Sequence, residues 1–527
     1  MELIPTFVDS ESYKVQCGDC FSADMKASRL GNILASWIPA RYIFAVLGSV
    51  SFIIFYGLKV NLSMTIVAMV RNTTNSSASE GNSEKSIQAG TDDFDNVFDV
   101  FVYDENNGSG FIAENSGSPV IGNDEGYDWN ESQQGLILSS YYWGYIISQF
   151  PAGRVAEIFS AKWVIFVAVA INIIGTLITP VVAENIVILL IVRCIEGIGG
   201  GFSFPAMHVL LSRWAPVEER SIMSSVVYAG GALGTVLSML FSGLISDWMN
   251  WQAVFYIMGG LPLLWCLLWV WLVQDDTNKQ QYITEQERTF ILKSLGQSQH
   301  KVPVPWKEVW TSVPFLVIIN THFCNNVCWY FLLTELPKYM NQILHLNLKM
   351  QIDNALLSSL PYLTLWMFSL ILSKCVDYGR LRGTITTTGA RKISTFIATA
   401  IPGACLLAVN LTDGDSTLVA GLMAIAVTAM GAMFSGVLTN HIDIASHFAG
   451  TLVGITNTFA TIPGILIPIV VGEVTHVEQS AERWGIIFYA IIAVLVFELV
   501  VYLLLGSGEE QPWNKINSSG TEKETHN

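Results

Sequence analysis

Charge is scarce in this chain. Asp, Glu, Lys and Arg make up 13% of its 527 residues, about half of the roughly 25% usual for soluble domains. The deficit excludes a string of water-soluble domains, although the length alone would allow several. Basic charge is scarcer still, with 27 Lys and Arg against 43 Asp and Glu. The acidic excess is concentrated between residues 71 and 131, which include TDDFDNVFDVFVYDENNGSG. It therefore implies no basic partner for the whole protein, and no nucleic acid is expected. Cysteine is equally uninformative. Cys194, Cys266, Cys324, Cys328, Cys375 and Cys405 lie in or beside apolar runs, where a thiol is a small apolar residue. Cys17 and Cys20 form a lone CxxC without the second ligand pair that zinc needs. No nucleophile–base motif marks an enzyme, and no pore-loop filter marks a channel. A signal peptide is also missing, so the first apolar block is expected to be a retained anchor.

Apolar residues are what the chain has in abundance. They reach 51% of the sequence, and the mean hydropathy is +0.46. They come in blocks of about 20, the length that crosses a bilayer core. Twelve blocks are legible, at 43–70, 135–150, 163–182, 186–211, 223–245, 254–273, 315–333, 356–372, 395–409, 418–438, 448–471 and 484–505. The spacing predicts an all-α membrane protein of two six-helix halves, 41–273 and 312–505, joined by a hydrophilic linker at 274–311. A faint repeat supports the halves. PAGRVAEIFSAKW follows the second block and VDYGRLRG the eighth, each placing Gly-Arg in the corresponding turn. Two such halves around a cavity is a transporter plan.

Basic residues mark the cytoplasmic side. Arg154, Lys162, Arg213, Arg220, Lys279, Arg288, Arg380, Arg382, Arg391 and Lys392 all fall in connections that share one side with both tails, 1–40 and 506–527. Glycosylation sequons at Asn72, Asn75, Asn107 and Asn130 fall in the acidic loop, and Asn410 falls in the 9–10 loop, all on the opposite side. Asn517 lies in the cytoplasmic tail and is expected to stay unmodified. No acidic dileucine signal stands out in the N-terminal tail, which favours the plasma membrane over a lysosomal or vesicular one.

Charges inside the apolar blocks need a reason, because each costs about 2.5–3.5 kcal/mol at mid-bilayer. Lys59 lies deep in the first block. Arg193 and Glu196 share a face of the fourth, one turn apart in RCIEGIGGGFSFPAMH. Two cations facing one cavity would bind a carboxylate or phosphate, and an acid beside one of them could be its exchangeable partner. A snorkelling arginine or a structural ion pair are the alternatives. Asn61, Tyr142, Asn325 and Asn326 add uncharged donors, or merely join helices. Glu335, His441 and Asp443 read as interfacial. Gly197 and Gly201 form a GxxxG for close packing, with AGGALGT (229–235) as a matching surface, and Pro205 is expected to bend the fourth helix.

These residues carry a resemblance. GLKVNLS, SSYYWGYIISQFPAG, EGIGGGFSFPAMH, RWAPVEERS, YAGGALGTVLS, NWQAVFYIMG, LLTELPKYM, LSSLPYL and NHIDIASHFAGTLVGITNTFATIPG occur in order. Together they resemble the anion:cation symporter family of the major facilitator superfamily, over about 41–506. That family includes sialin, the vesicular glutamate transporters and the sodium-dependent phosphate cotransporters. The resemblance implies that Lys59 stands where the family has a helix 1 cation, usually arginine. It places the helix 4 arginine at Arg193 and the sialin-like glutamate at Glu196. It also shows departures. A second sialin-like glutamate is replaced by Gly200, and the glutamate transporters' helix 7 arginine and helix 2 histidine fall on Asn325 and Leu138. The implied function is secondary active transport of inorganic phosphate or a small organic anion, by a monomer in the lipid bilayer. It needs no cofactor beyond a coupling ion, sodium or proton. The alternative is a non-transporting receptor that uses the acidic loop.

Overall fold

The computed structural model describes residues 38–70, 126–129, 131–295, 303–335, 339, 351–412, 416–475 and 480–514. Asn72, Asn75, Asn107, Asn130, Asn517, Cys17 and Cys20 lie outside the described residues. The first half comprises α1 (Ala40–Met69), α2 (Glu131–Ile158) and α3 (Ala161–Val182), then three crossings each built from two segments. These are α4 (Ile186–Gly201) with α5 (Ser203–Trp214), α6 (Arg220–Tyr228) with α7 (Gly230–Trp248), and α8 (Trp251–Gly260) with α9 (Pro262–Leu272). The linker contains α10 (Glu285–Leu295) and α11 (Trp306–Thr311). The second half comprises α12 (Val313–Tyr330), α13 (Gln351–Leu381), α14 (Thr387–Leu411), α15 (Ser416–Met430) with α16 (Val437–Ile444), α17 (Ala449–Thr475) and α18 (Ala481–Leu505).

Among the described residues, ten helices are long and apolar enough to cross a membrane. The other two crossings, α2 and α13, are 28 and 31 residues long but carry more polar residues. The twelve-helix bundle expected from the sequence is therefore present. The two polar crossings run well past their apolar blocks, to Ile158 and Leu381. Their charged last turns continue the helix because residues of the opposite half satisfy them, as described below.

The fourth crossing is interrupted at Phe202. Pro205 lies three residues on; it has no N–H to give the Gly201 carbonyl, and its ring crowds that carbonyl, which accounts for the break just after Gly201. The glycine pairing differs from expectation. Gly197 packs on α2, where a Cβ would lie 1.8 Å from the Tyr141 carbonyl oxygen. Gly230 and Gly234 pack on α1 instead, each within 2.5 Å of a Ser49 or Ile53 carbonyl oxygen by the same construction. The two small-residue faces thus seat two different helix pairs.

The halves meet most tightly at the end of the bundle that carries the linker. There a Cβ on Gly153 of α2 would stand 2.0 Å from the Gly450 carbonyl oxygen of α17. Glu157 accepts from the Thr451 backbone N–H and hydroxyl, both at 2.7 Å. Asp377 of α13 accepts from the Ile222 N–H at 2.8 Å, and Arg380 donates to the Val217 carbonyl at 2.8 Å. On this side the molecule is shut. At the other end of α1, the Tyr127 N–H donates to the Met69 carbonyl at 2.8 Å, and Tyr127 stacks on Trp129, 4.7 Å between ring centres.

Candidate functional site

Helix α1 delivers Lys59 to the centre of the first half. Its ammonium lies 4.4 Å from the Tyr142 ring centre, 5.5 Å from Tyr56 and Tyr145, and 5.8 Å from Tyr141. Three of these tyrosines come from α2, at positions 141, 142 and 145, whose spacing turns them to one side of the helix. Lys59 is half-buried, and among the described residues it forms no ion pair. The ring faces supply the electrostatic partner a carboxylate would otherwise provide.

Arg193 reaches the same region from α4. Its Nη1 binds Glu196 Oε2 at 2.6 Å, and the two side chains are 2% and 1% exposed. Arg193 Nη2 donates to the Lys59 carbonyl at 3.3 Å, and the guanidinium sits 5.3 Å from the Tyr141 ring centre. Arg193 does not snorkel to water. Glu196 Oε1 accepts from Thr176 of α3 at 3.1 Å, and Gly175 leaves room for the side chain, since a Cβ there would come within 2.4 Å of Glu196 Cγ and 2.6 Å of its Oε1. Arg193 Nε has no hydrogen-bond partner.

The expected uncharged donors do not all gather here. Tyr142 does. Asn61 is fully buried with both side-chain polar atoms unpartnered, but it sits about 200° around the helix from Lys59. Asn326 donates to the His322 carbonyl of its own helix at 2.8 Å. Asn325 is directed toward Glu498 without closing a hydrogen bond. Asn410 occupies the last turn of α14, half-buried and close to Gly485 of α18.

Three residues expected at the interface are buried. Glu335 is fully buried. His441 and Asp443 belong to α16 rather than to a turn, and they are 0% and 7% exposed. Asp443 binds Arg220 of the first half at 2.7 Å and Arg391 of the second at 2.6 Å. These partners are remote in sequence, so the apolar pattern alone gave no sign of them. Among the described residues, no group of three or more His, Cys, Asp or Glu could hold a metal ion.

The family model described as Major Facilitator Superfamily matches residues 107–468. Sialin of Homo sapiens is 36% identical over 476 residues, covering 90% of each chain. The chain belongs to the major facilitator superfamily. A Drosophila ananassae protein provisionally named an inorganic phosphate cotransporter is 33% identical, covering 87% of this chain and 91% of its own. Vesicular glutamate transporter 1 of Xenopus laevis is 28% identical, covering 92% and 78%. In fold, the chain is similar to the proton:xylose symporter XylE, with TM-score 0.61 at 14% identity over 90% of this chain and 98% of that one. This major facilitator protein is thus an integral multi-pass membrane transporter and not an enzyme. Its linker-side seal joins the two halves through Asp443, shared between Arg220 and Arg391.

Sequence reasoning missed Tyr56, Tyr141 and Tyr145 as neighbours of Lys59, although SSYYWGY displays two of them. It also missed Glu498, an acid in the apolar run FELVVYLLL that the rule applied to Arg193 would have found.

Proposed function

We propose that this protein is a secondary transporter of organic anions, with Lys59 and Arg193 as the anion-binding cations. The observation that carries this reading is the ring of four tyrosines around the Lys59 ammonium. An ion such as inorganic phosphate gains only from charge and hydrogen bonds. A carboxylate on a sugar or carbon chain gains in addition from phenol faces and hydroxyls that cover its body. Among the described residues Arg193 keeps an unsatisfied Nε, and Tyr142 is a further donor. Asn61, Asn325 and Asn326 face elsewhere and are left out of the proposed site. Glu196 acts as the switchable partner of Arg193, which it holds until an anionic substrate competes. The sialin and glutamate-transporter relatives support the organic-anion class. The protein is proposed to be monomeric and to reside in the plasma membrane with both tails cytoplasmic. Asn410 and the four sequons of the acidic loop are proposed to carry glycans on the opposite face.

The test is uptake of radiolabelled sialic acid, glutamate and phosphate into cells expressing the protein, with sodium and pH varied separately and surface biotinylation confirming location. Saturable uptake of an organic acid, abolished by Lys59→Ala with surface protein unchanged, is expected. Saturable phosphate uptake that no organic acid competes for would overturn the reading in favour of a phosphate cotransporter.

A further inference from the structure

The second half contains an acid with no countercharge. Glu498 of α18 is fully buried. Its Oε1 accepts from Thr399 Oγ1 of α14 at 2.9 Å, and its Oε2 has no hydrogen-bond partner. Among the described residues it forms no ion pair. Asn325 approaches from α12, 1% exposed, with neither its amide oxygen nor its nitrogen hydrogen-bonded. The titratable groups around this cluster are thiols, Cys324 and Cys328 on α12 and Cys405 on α14. Tyr502, one turn along α18, is engaged with the Asn440 amide at 3.1 Å. The acid of α17, Glu473, is exposed at the opposite end of that helix.

We propose that Glu498 is the proton-carrying acid of the second half, loading and unloading against Asn325 as α12 moves relative to α14 and α18. One proton completes the set. With Oε2 protonated, its O–H has the Asn325 amide oxygen as acceptor, while Oε1 keeps the Thr399 hydroxyl. Without it, the Asn325 amide can offer its N–H to the carboxylate instead, but the charge keeps no counterion among the described residues in an apolar interior, an arrangement that membrane proteins reserve for function. Glu196 differs, because Arg193 already balances it at 2.6 Å. Two features make α12 and α14 deformable at this level. Pro402 interrupts α14 three residues after Thr399, and α12 passes into a π-helical turn at Phe331–Glu335.

The inference rests on the transporter reading for its role but not for its first test. In infrared difference spectra of the purified full chain, stepped between alkaline and mildly acid buffer at a pH above the range of exposed carboxyls, a carboxylic-acid carbonyl band assignable to a buried acid should appear on the acid side. Glu498→Gln should remove it, Glu196→Gln should keep it, and Asn325→Ala should shift it. A band that Glu498→Gln leaves in place, or one that does not change with pH, overturns the proposal. So does a carboxylate band that moves on adding sodium chloride and is lost in Glu498→Gln. In proteoliposomes, Glu498→Gln should lower pH-gradient-driven uptake of whichever labelled anion is carried by more than about tenfold, leaving one-for-one exchange of that anion within about twofold. Equal loss of both would make Glu498 structural, and retention of both would make it a bystander. Failure of the organic-anion reading would show as phosphate being the carried label, which leaves the infrared result standing.

Discussion

At residue scale, the structure explains a departure from the sialin-like pattern. A Cβ on Gly200 would lie 2.0 Å from the Tyr141 hydroxyl. The ring that helps surround Lys59 therefore fills the space a second helix 4 glutamate would need. Gly200→Glu alone is expected to destabilise the protein by about 1–3 kcal/mol, the usual cost of overpacking, and to abolish uptake. Combining it with Tyr141→Ala should recover most of the lost melting temperature, measured on detergent-purified protein. The Arg193–Glu196 pair predicts another asymmetry. Removing one partner strands a buried charge and costs about 3–5 kcal/mol, while replacing both by neutral residues costs less. Arg193→Gln should thus melt lower than the Arg193→Gln, Glu196→Gln double variant, and equal melting points would mean the pair is solvated in solution. Much of this site was legible, because a charge in an apolar run is conspicuous whatever its partner. Lys59, Arg193 and Glu196 were found that way, and Tyr142 as an uncharged donor in the second apolar block. What stayed hidden depends on which helix faces which. Tyr56 stands one turn before Lys59 and could have been read from that spacing, but no spacing in the chain tells that Tyr141 and Tyr145 of α2 converge on Lys59, or that Asn325 turns to Glu498 instead.

At element scale, the apolar blocks gave the number and order of crossings but not their ends. A block marks where a helix meets lipid. The helix itself continues as long as its backbone and polar side chains are satisfied. In α2 that continuation is Arg154 to Ile158, where Glu157 finds Thr451 of the second half. In α13 it is Asp377 to Leu381, where Arg380 finds Val217 of the first. Both extensions are held by the other half, so neither could be read from its own segment. The same reasoning makes α2 and α17 the contact that sets closure. Gly153 and Gly450 allow backbone to touch backbone, and Gly153→Ala would have to push α17 away, because the construction puts its methyl 2.0 Å from a carbonyl oxygen. Gly153→Ala is expected to fold and reach the membrane yet leave the linker side open. A single cysteine at Gln149, which is buried here beside Gly454 of α17, should then react with a membrane-impermeant thiol reagent added from the linker side. No change in its reactivity would show that the two helices part elsewhere.

At the scale of the whole molecule, the shut linker side raises the question of what opens it. Arg220 and Arg391 come from different halves and share the Asp443 carboxylate. A single negative charge thus holds two positive ones, and besides it Arg391 reaches the first half through a hydrogen bond to the Ser221 hydroxyl at 2.7 Å. Asp443→Asn would leave two guanidiniums facing each other across a buried interface, which turns attraction into repulsion. The outcome should be a population shift toward the linker-open conformation, not unfolding, because Glu157, Asp377 and Arg380 still hold the rest of the seam. Spin labels at Phe159 of the first half and Leu381 of the second, both exposed on this side, would report it as a longer distance distribution in a background without reactive cysteines. An unchanged distribution would mean that the glycine contact alone sets closure, and Asp443→Asn combined with Gly153→Ala would then behave as Gly153→Ala does. If the latch is the switch, Asp443→Asn should also slow net uptake more than exchange. Exchange needs only that the loaded carrier reorient, whereas net uptake also requires the empty carrier to close again on the linker side, and that is the step the lost carboxylate served.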